Sequence, residues 1–157
     1  MAEQWLIDGY NLLHAYQSHL SSKTALPREK MFALAADFAS FKKFRTLLVL
    51  DGAGDEGQLK AYGTAYLEVV FSQKVSADAY IEKYLYDHRD RGRLMVVTND
   101  RAITNIARGS GAGVLSTSQF FDLVAECRKE ADEFLQKERS RGHRFHRPFE
   151  DKLKDHE

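Results

Sequence analysis

Apolar positions along the chain fall into short runs separated by longer stretches with helical spacing. Trp5 to Ile7, Thr46 to Leu50, Leu67 to Phe71 and Arg93 to Thr98 read as buried strands, and GAGVLS (residues 111–116) as a short fifth. Residues 11–20 predict a short helix whose faces His14, Tyr16 and His19 leave mixed. Pro27 opens a second helix, where Met31, Leu34, Ala35, Phe38 and Phe41 recur on one face. Ser76 caps a third over 77–90, with Ile81 and Leu85 turned inward, and Asp100 starts a fourth that stops near Gly109. Ser118 precedes a last helix carrying Phe120, Phe121, Leu123, Val124, Cys127, Phe134 and Leu135. The glycine-rich stretch 52–65 reads as a loop over the sheet edge.

Strands alternating with helices predict an α/β fold: a mostly parallel sheet of four or five strands, covered on both faces and joined by right-handed crossovers. One domain over 1–136 and a polar tail over 137–157 are expected.

Charge narrows the function classes. Lys and Arg together equal Asp and Glu, 23 against 23, so any surface for nucleic acid must be local. Cys127 is the single cysteine, which excludes an intramolecular disulfide and a multi-cysteine zinc site. The first residues, MAEQWLIDGY, lack a basic region followed by a long apolar one, and no apolar run is long enough to span a bilayer. No signal peptide, no membrane partner and a cytoplasmic location are therefore expected.

The candidate chemistry lies in the acids. Asp8, Asp51 and Asp100 end or closely follow strand runs, and Asp78 begins a helix. Ligands of an open parallel sheet bind outside the carboxyl ends of its strands, and carboxylates gathered there repel one another unless a cation lies between them. A hard divalent ion with oxygen ligands relieves that repulsion, which points to a metal-dependent enzyme. Each acid also has a plainer role. Asp8 and Asp51, each followed by glycine, can form turns; Asp100 can cap a helix; Asp78 and Glu82, four residues apart, can be a solvated helix face. Asn11 either orients Asp8 or caps the helix after it. The six histidines show neither zinc-protease spacing nor an adjacent nucleophile, Cys127 reads as a core residue, and GAGDEG and GSGAG lack the Lys-Ser/Thr of a phosphate loop.

WLIDGYNLLHA at the first strand, LLVLDGAG at the second, KAYGTAYLEVVFSQKVSADAYIEKYL through the third strand and its helix, and MVVTNDRAI at the fourth resemble the YacP-like proteins, in the NYN branch of the PIN-like nucleases. The likeness runs through about residue 125. It implies a three-layer α/β/α PIN-like domain and a Mg2+- or Mn2+-dependent endoribonuclease, with RNA as substrate and the ribosome as a plausible partner. Asp8, Asp78 and Asp100 match the family's acidic positions as metal ligands, and Asp51 and Glu82 match motif positions nearby. Lys60, Lys74, Arg101 and Arg108 are candidates to guide the RNA backbone, Tyr62 to stack on a base, and Arg141, Arg144 and Arg147 with His143, Phe145 and His146 to bind it diffusely. Two competitors are a PIN-like module that binds RNA or the ribosome without cutting, and a phospho-acceptor receiver domain. The receiver would want paired acids at Asp8 and a lysine after strand five, where the chain has Asp-Gly and GVLSTS.

Overall fold

Strands dense in Leu, Val and Ile need apolar cover on both faces, and a parallel sheet provides it. The computed structural model describes residues 4–19, 28–52, 63–88 and 93–154, with side chains described except at 16–19 and 142–154. Five strands are present: β1 (Gln4–Asp8), β2 (Arg45–Leu50), β3 (Leu67–Phe71), β4 (Leu94–Val97) and β5 (Gly113–Leu115). They pair in the order β3-β2-β1-β4-β5, every pair parallel. The described helices are α1 (Gly9–His19), α2 (Arg28–Lys42), α3 (Ala77–His88), α4 (Arg101–Gly109) and α5 (Thr117–Lys154).

The chain divides into two compact units, Met1–Asp122 and Leu123–Glu157. In the first, side chains alternate across the sheet. Trp5 meets Phe38 of α2 edge-on at 5.0 Å and stacks on Phe44 at 5.7 Å, and Phe38 meets Phe120 in the first turn of α5 at 5.0 Å. On the other face Leu6, Val49 and Val96 join Ala77, Ile81 and Leu85 of α3 and Ile103 and Ala107 of α4 in one buried cluster. The result is three layers, helix, sheet and helix, as expected. In the second unit α5 continues to Lys154, so residues 137–154, read as a tail, extend the same helix. There Val124 and Cys127 are buried, and Phe134 and Leu135 are exposed.

Several local expectations shift. α1 begins at Gly9 rather than residue 11. A Cβ on Gly9 would lie 2.7 Å from both the Val49 carbonyl oxygen and a Leu50 methyl, so only glycine lets the helix start this close to β2. Phe41 is exposed: the buried stripe of α2 runs through Met31, Phe32, Ala35, Phe38 and Ala39, leaving Phe41 at its edge. The last helix begins at Thr117, so Ser118 lies inside it rather than before it, and Ser116 is the cap. Its Oγ accepts from the Gln119 N–H at 3.2 Å, and Gln119 Oε1 accepts from the Ser116 N–H at 2.9 Å, a reciprocal capping box. Ser76 caps α3 as expected, accepting from the Ala79 N–H at 3.1 Å. Pro27 and most of the 52–65 loop lie outside the described residues.

Candidate active site

Strand order fixes where a site can form. From β1 the chain steps to β2 and β3 on one side, then returns to β4 and β5 on the other. The crevice beyond the ends of β1 and β4 is thus the switch point of the sheet. Ile7 pairs with Val97, so the next residues, Asp8 and Thr98, come side by side at this crevice.

Asp8 is buried, 1% exposed, at the last position of β1. Its Oδ2 accepts from Asn11 Nδ2 at 2.5 Å and from the Thr98 hydroxyl at 3.4 Å, and its Oδ1 accepts from the Asn11 N–H at 3.4 Å. Burial pushes its carboxyl above the ordinary range, although the bonds from Asn11 and Thr98 pull the other way. Asn11 therefore orients Asp8. Thr98, itself buried, also accepts from the Asp100 N–H at 3.1 Å. One hydroxyl thus ties the acid ending β1 to the acid following β4. Thr98 follows β4 in sequence, and the register that pairs Ile7 with Val97 brings its hydroxyl to Asp8.

Asp100 is the N-cap of α4, its Oδ1 accepting from the Ile103 N–H at 3.1 Å. Asp51 follows β2. It reaches across 26 residues to accept from the Ala77 N–H at 3.0 Å, anchoring the start of α3 where Asp78 stands. Asp78 is exposed and makes no hydrogen bond among the described residues. Loss of part of its water to the neighbouring residues, then the charges of Asp100, Asp8 and Asp51, push its carboxyl upward. Three aspartates, one after β2 and two at the ends of β1 and β4, thus act on Asp78. Glu82, one turn further along α3, is not among those charges; it lines a separate groove with Tyr86 and Ile106.

Among the described residues, no three His, Cys, Asp or Glu side chains form a ready cage for an ion. Asp100 is held by its cap, Asp8 by Asn11 and Thr98, and mutual repulsion acts on Asp78. The donor set still suits a hard cation: all oxygen, with two carboxyls whose charged forms are disfavoured by burial or by one another.

Of the predicted RNA contacts, Lys74 follows β3 and Arg101 opens α4, both exposed at the strand-end rim; Arg108 is exposed near the far end of α4. Lys60 and Tyr62 lie outside the described residues, as do the side chains of His143, Arg144, Phe145, His146 and Arg147. Arg141 is exposed and pairs with Glu138 at 3.8 Å. Tyr10, part of DGYN yet given no role above, is 62% exposed beside Asp8, its ring edge-on to His14. Next to the rim opens a cleft of about 450 Å³ lined by Asn11, His14, Asn99, Thr117, Phe121 and Asp122, among others.

The model of the YacP-like NYN domain matches residues 5–157. The chain belongs to the YacP-like NYN family. NYN domains are generally RNA-hydrolase folds, which makes this an RNase-type nuclease domain. Its fold is similar to the crystal structure of Rae1 (YacP) from Bacillus subtilis, with TM-score 0.68 and 24% identity over 88% of this chain and 84% of that one. The W164L mutant of the same protein gives TM-score 0.70 and 22% identity over the same shares. No curated protein matches the chain. No described helix is long and apolar enough to cross a membrane.

Proposed function

We propose that this chain is a metal-dependent endoribonuclease, acting in the cytoplasm on messenger RNA at the ribosome. The observation that carries the reading is the electrostatic meeting of Asp8, Asp51, Asp78 and Asp100 at the switch point of an RNase-type fold. Acids so placed repel an RNA phosphate, and a cation between them reverses that.

Asp8, Asp78 and Asp100 would hold Mg2+ or Mn2+, with waters completing the shell, as suits magnesium bound by few carboxylates. When bound, the ion neutralises charge developing on the phosphodiester and lowers the pKa of water. Asn11 and Thr98 hold the Asp8 oxygens in place; the Ile103 N–H holds an Asp100 oxygen, and Thr98 accepts from the Asp100 backbone N–H. Asp51, just past β2, supports Asp78 by anchoring the start of α3. Lys74 and Arg101 meet the RNA backbone at the rim, and Lys60 is a further candidate cation for it. Tyr10 and Tyr62 offer rings for base stacking.

The test is incubation of the purified chain with structured and single-stranded RNA, alone and with ribosomes, in Mn2+, Mg2+ or EDTA. Cleavage should require metal. Asp8→Asn and Asp100→Asn should each slow it by about a hundredfold or more, since metal charge stabilisation is worth several kcal/mol. Both should keep the metal-free melting temperature, and Asn at position 100 still caps α4. No cleavage under any condition would leave an RNA- or ribosome-binding module; full activity in both variants would displace the site.

A further inference from the structure

The cleft beside the acid rim has a composition the metal chemistry does not use. Its volume, about 450 Å³, falls among small-ligand pockets, which span roughly 300–1,000 Å³. One wall is tied in place: Asn99 Nδ2 donates to Thr117 Oγ1 at 2.7 Å, and the Thr117 N–H donates to Asn99 Oδ1 at 3.0 Å. Asn11 forms another part of the lining while its amide holds Asp8. The cleft therefore borders both Asp8, through Asn11, and Asp100, through its neighbour Asn99. A strand with its phosphate at the rim would have a base within reach of the cleft. The phosphate itself is disfavoured inside, because Asp122 adds another negative charge to the lining.

We infer that this cleft seats a guanine base of the RNA strand, with Asp122 reading its Watson–Crick edge and Phe121 offering a stacking face. This rests on the nuclease reading and adds a base preference to it. The choice of guanine follows from donor and acceptor chemistry. A carboxylate only accepts, and guanine alone among the four bases presents two adjacent donors, N1–H and N2–H. Adenine and cytosine place a ring-nitrogen acceptor beside their amine, which would face the carboxylate, and uracil flanks its one N–H with carbonyls. Guanine O6, an acceptor, matches the remaining amide hydrogens of Asn11 or Asn99. Single-stranded RNA exposes this edge and stacks its bases on aromatic rings.

The full chain, labelled with nitrogen-15 and free of metal, is titrated with guanosine, inosine and adenosine while its amide resonances are followed. Guanosine should shift residues 117–122 and the side-chain amides of Asn11 and Asn99. It should bind at least about tenfold more tightly than inosine, which lacks the N2 amine, or adenosine, as a good bidentate pair allows. Asp122→Asn, a change at an exposed position, should erase that preference while keeping the melting temperature. Equal shifts from all three nucleosides, or none in the cleft, would overturn the inference. In a cleaved RNA, replacing the seated guanosine by inosine should slow the wild type and leave the variant unaffected; indifference of the wild type would also overturn it. Guanosine binding without cleavage of any RNA would instead sink the nuclease reading and leave the guanine seat standing.

Discussion

Thr98 carries two bonds on one oxygen, and both serve the acids. Its proton goes to Asp8 Oδ2, and its lone pair takes the Asp100 N–H. Thr98→Val keeps the shape and removes both, leaving a backbone N–H unpaired and a buried carboxylate less supported. Such a loss costs about 1–3 kcal/mol, readable as a lower urea midpoint, with cleavage falling alongside. Thr98→Ser should restore most of both, and an unchanged midpoint in the valine variant would remove Thr98 from this role. Asp78 gives a pH signature. Its folded carboxyl sits above its ordinary 3.8, so its share of stability is fully present below that value and is lost as pH rises through the raised one. Without metal, the melting temperature of Asp78→Asn relative to wild type should therefore climb across the acid range and level off above it. Mn2+ should shrink the gap at neutral pH; a gap that narrows as pH rises would contradict the crowding of acids.

At the level of elements, two glycines test what positions the rim. Gly9 opens α1 against β2, where an added Cβ would strike the Val49 carbonyl, a backbone atom with nowhere to move. Gly113 begins β5, where a Cβ would meet the Met95 Sδ at 2.9 Å and its methyl at 2.8 Å, the flexible end of a side chain. Gly9→Ala should cost about 1–3 kcal/mol by overpacking. Gly113→Ala should stay within about 1 kcal/mol as Met95 swings away. Denaturant unfolding of the two variants measures the contrast, and equal losses would mean α1 can retreat from β2. Because Gly9 directly follows Asp8, its variant should also lose cleavage.

For the whole molecule, the proposed metal site predicts that an ion among the acids stabilises the fold. An ion bound only by the folded chain stabilises it by about 2.7 kcal/mol at a hundredfold excess over Kd. Mn2+ or Mg2+ should accordingly raise the melting temperature, EDTA should reverse the rise, and Asp8→Asn should abolish it. A rise of equal size in that variant would show binding elsewhere on the chain. The neutral net charge confines RNA attraction to local cations such as Lys74 and Arg101 rather than to a general basic field.

The hydrophobic pattern was enough for the layered α/β fold, because strands buried on both faces leave continuous apolar runs and helices leave a repeating face. It placed all five strands, and Ser76 as a cap, since those signals are local. DGYN and VVTND carried the family resemblance, with Asp8 and Asp100 in those motifs and Asp78 in SADAYIEKY. Strand order and register lay beyond it, and they alone put Thr98 beside Asp8. Asp51 reads locally as a turn former but binds the start of α3, a partner 26 residues away. Ser118 reads as preceding the last helix, and only the bonds between Ser116 and Gln119 place its start two residues earlier. Glu82 shares a helical spacing with Asp78, yet lines another groove. Local pattern determines which elements form and which face is apolar; which polar groups meet is decided by the crossing of strands distant in sequence.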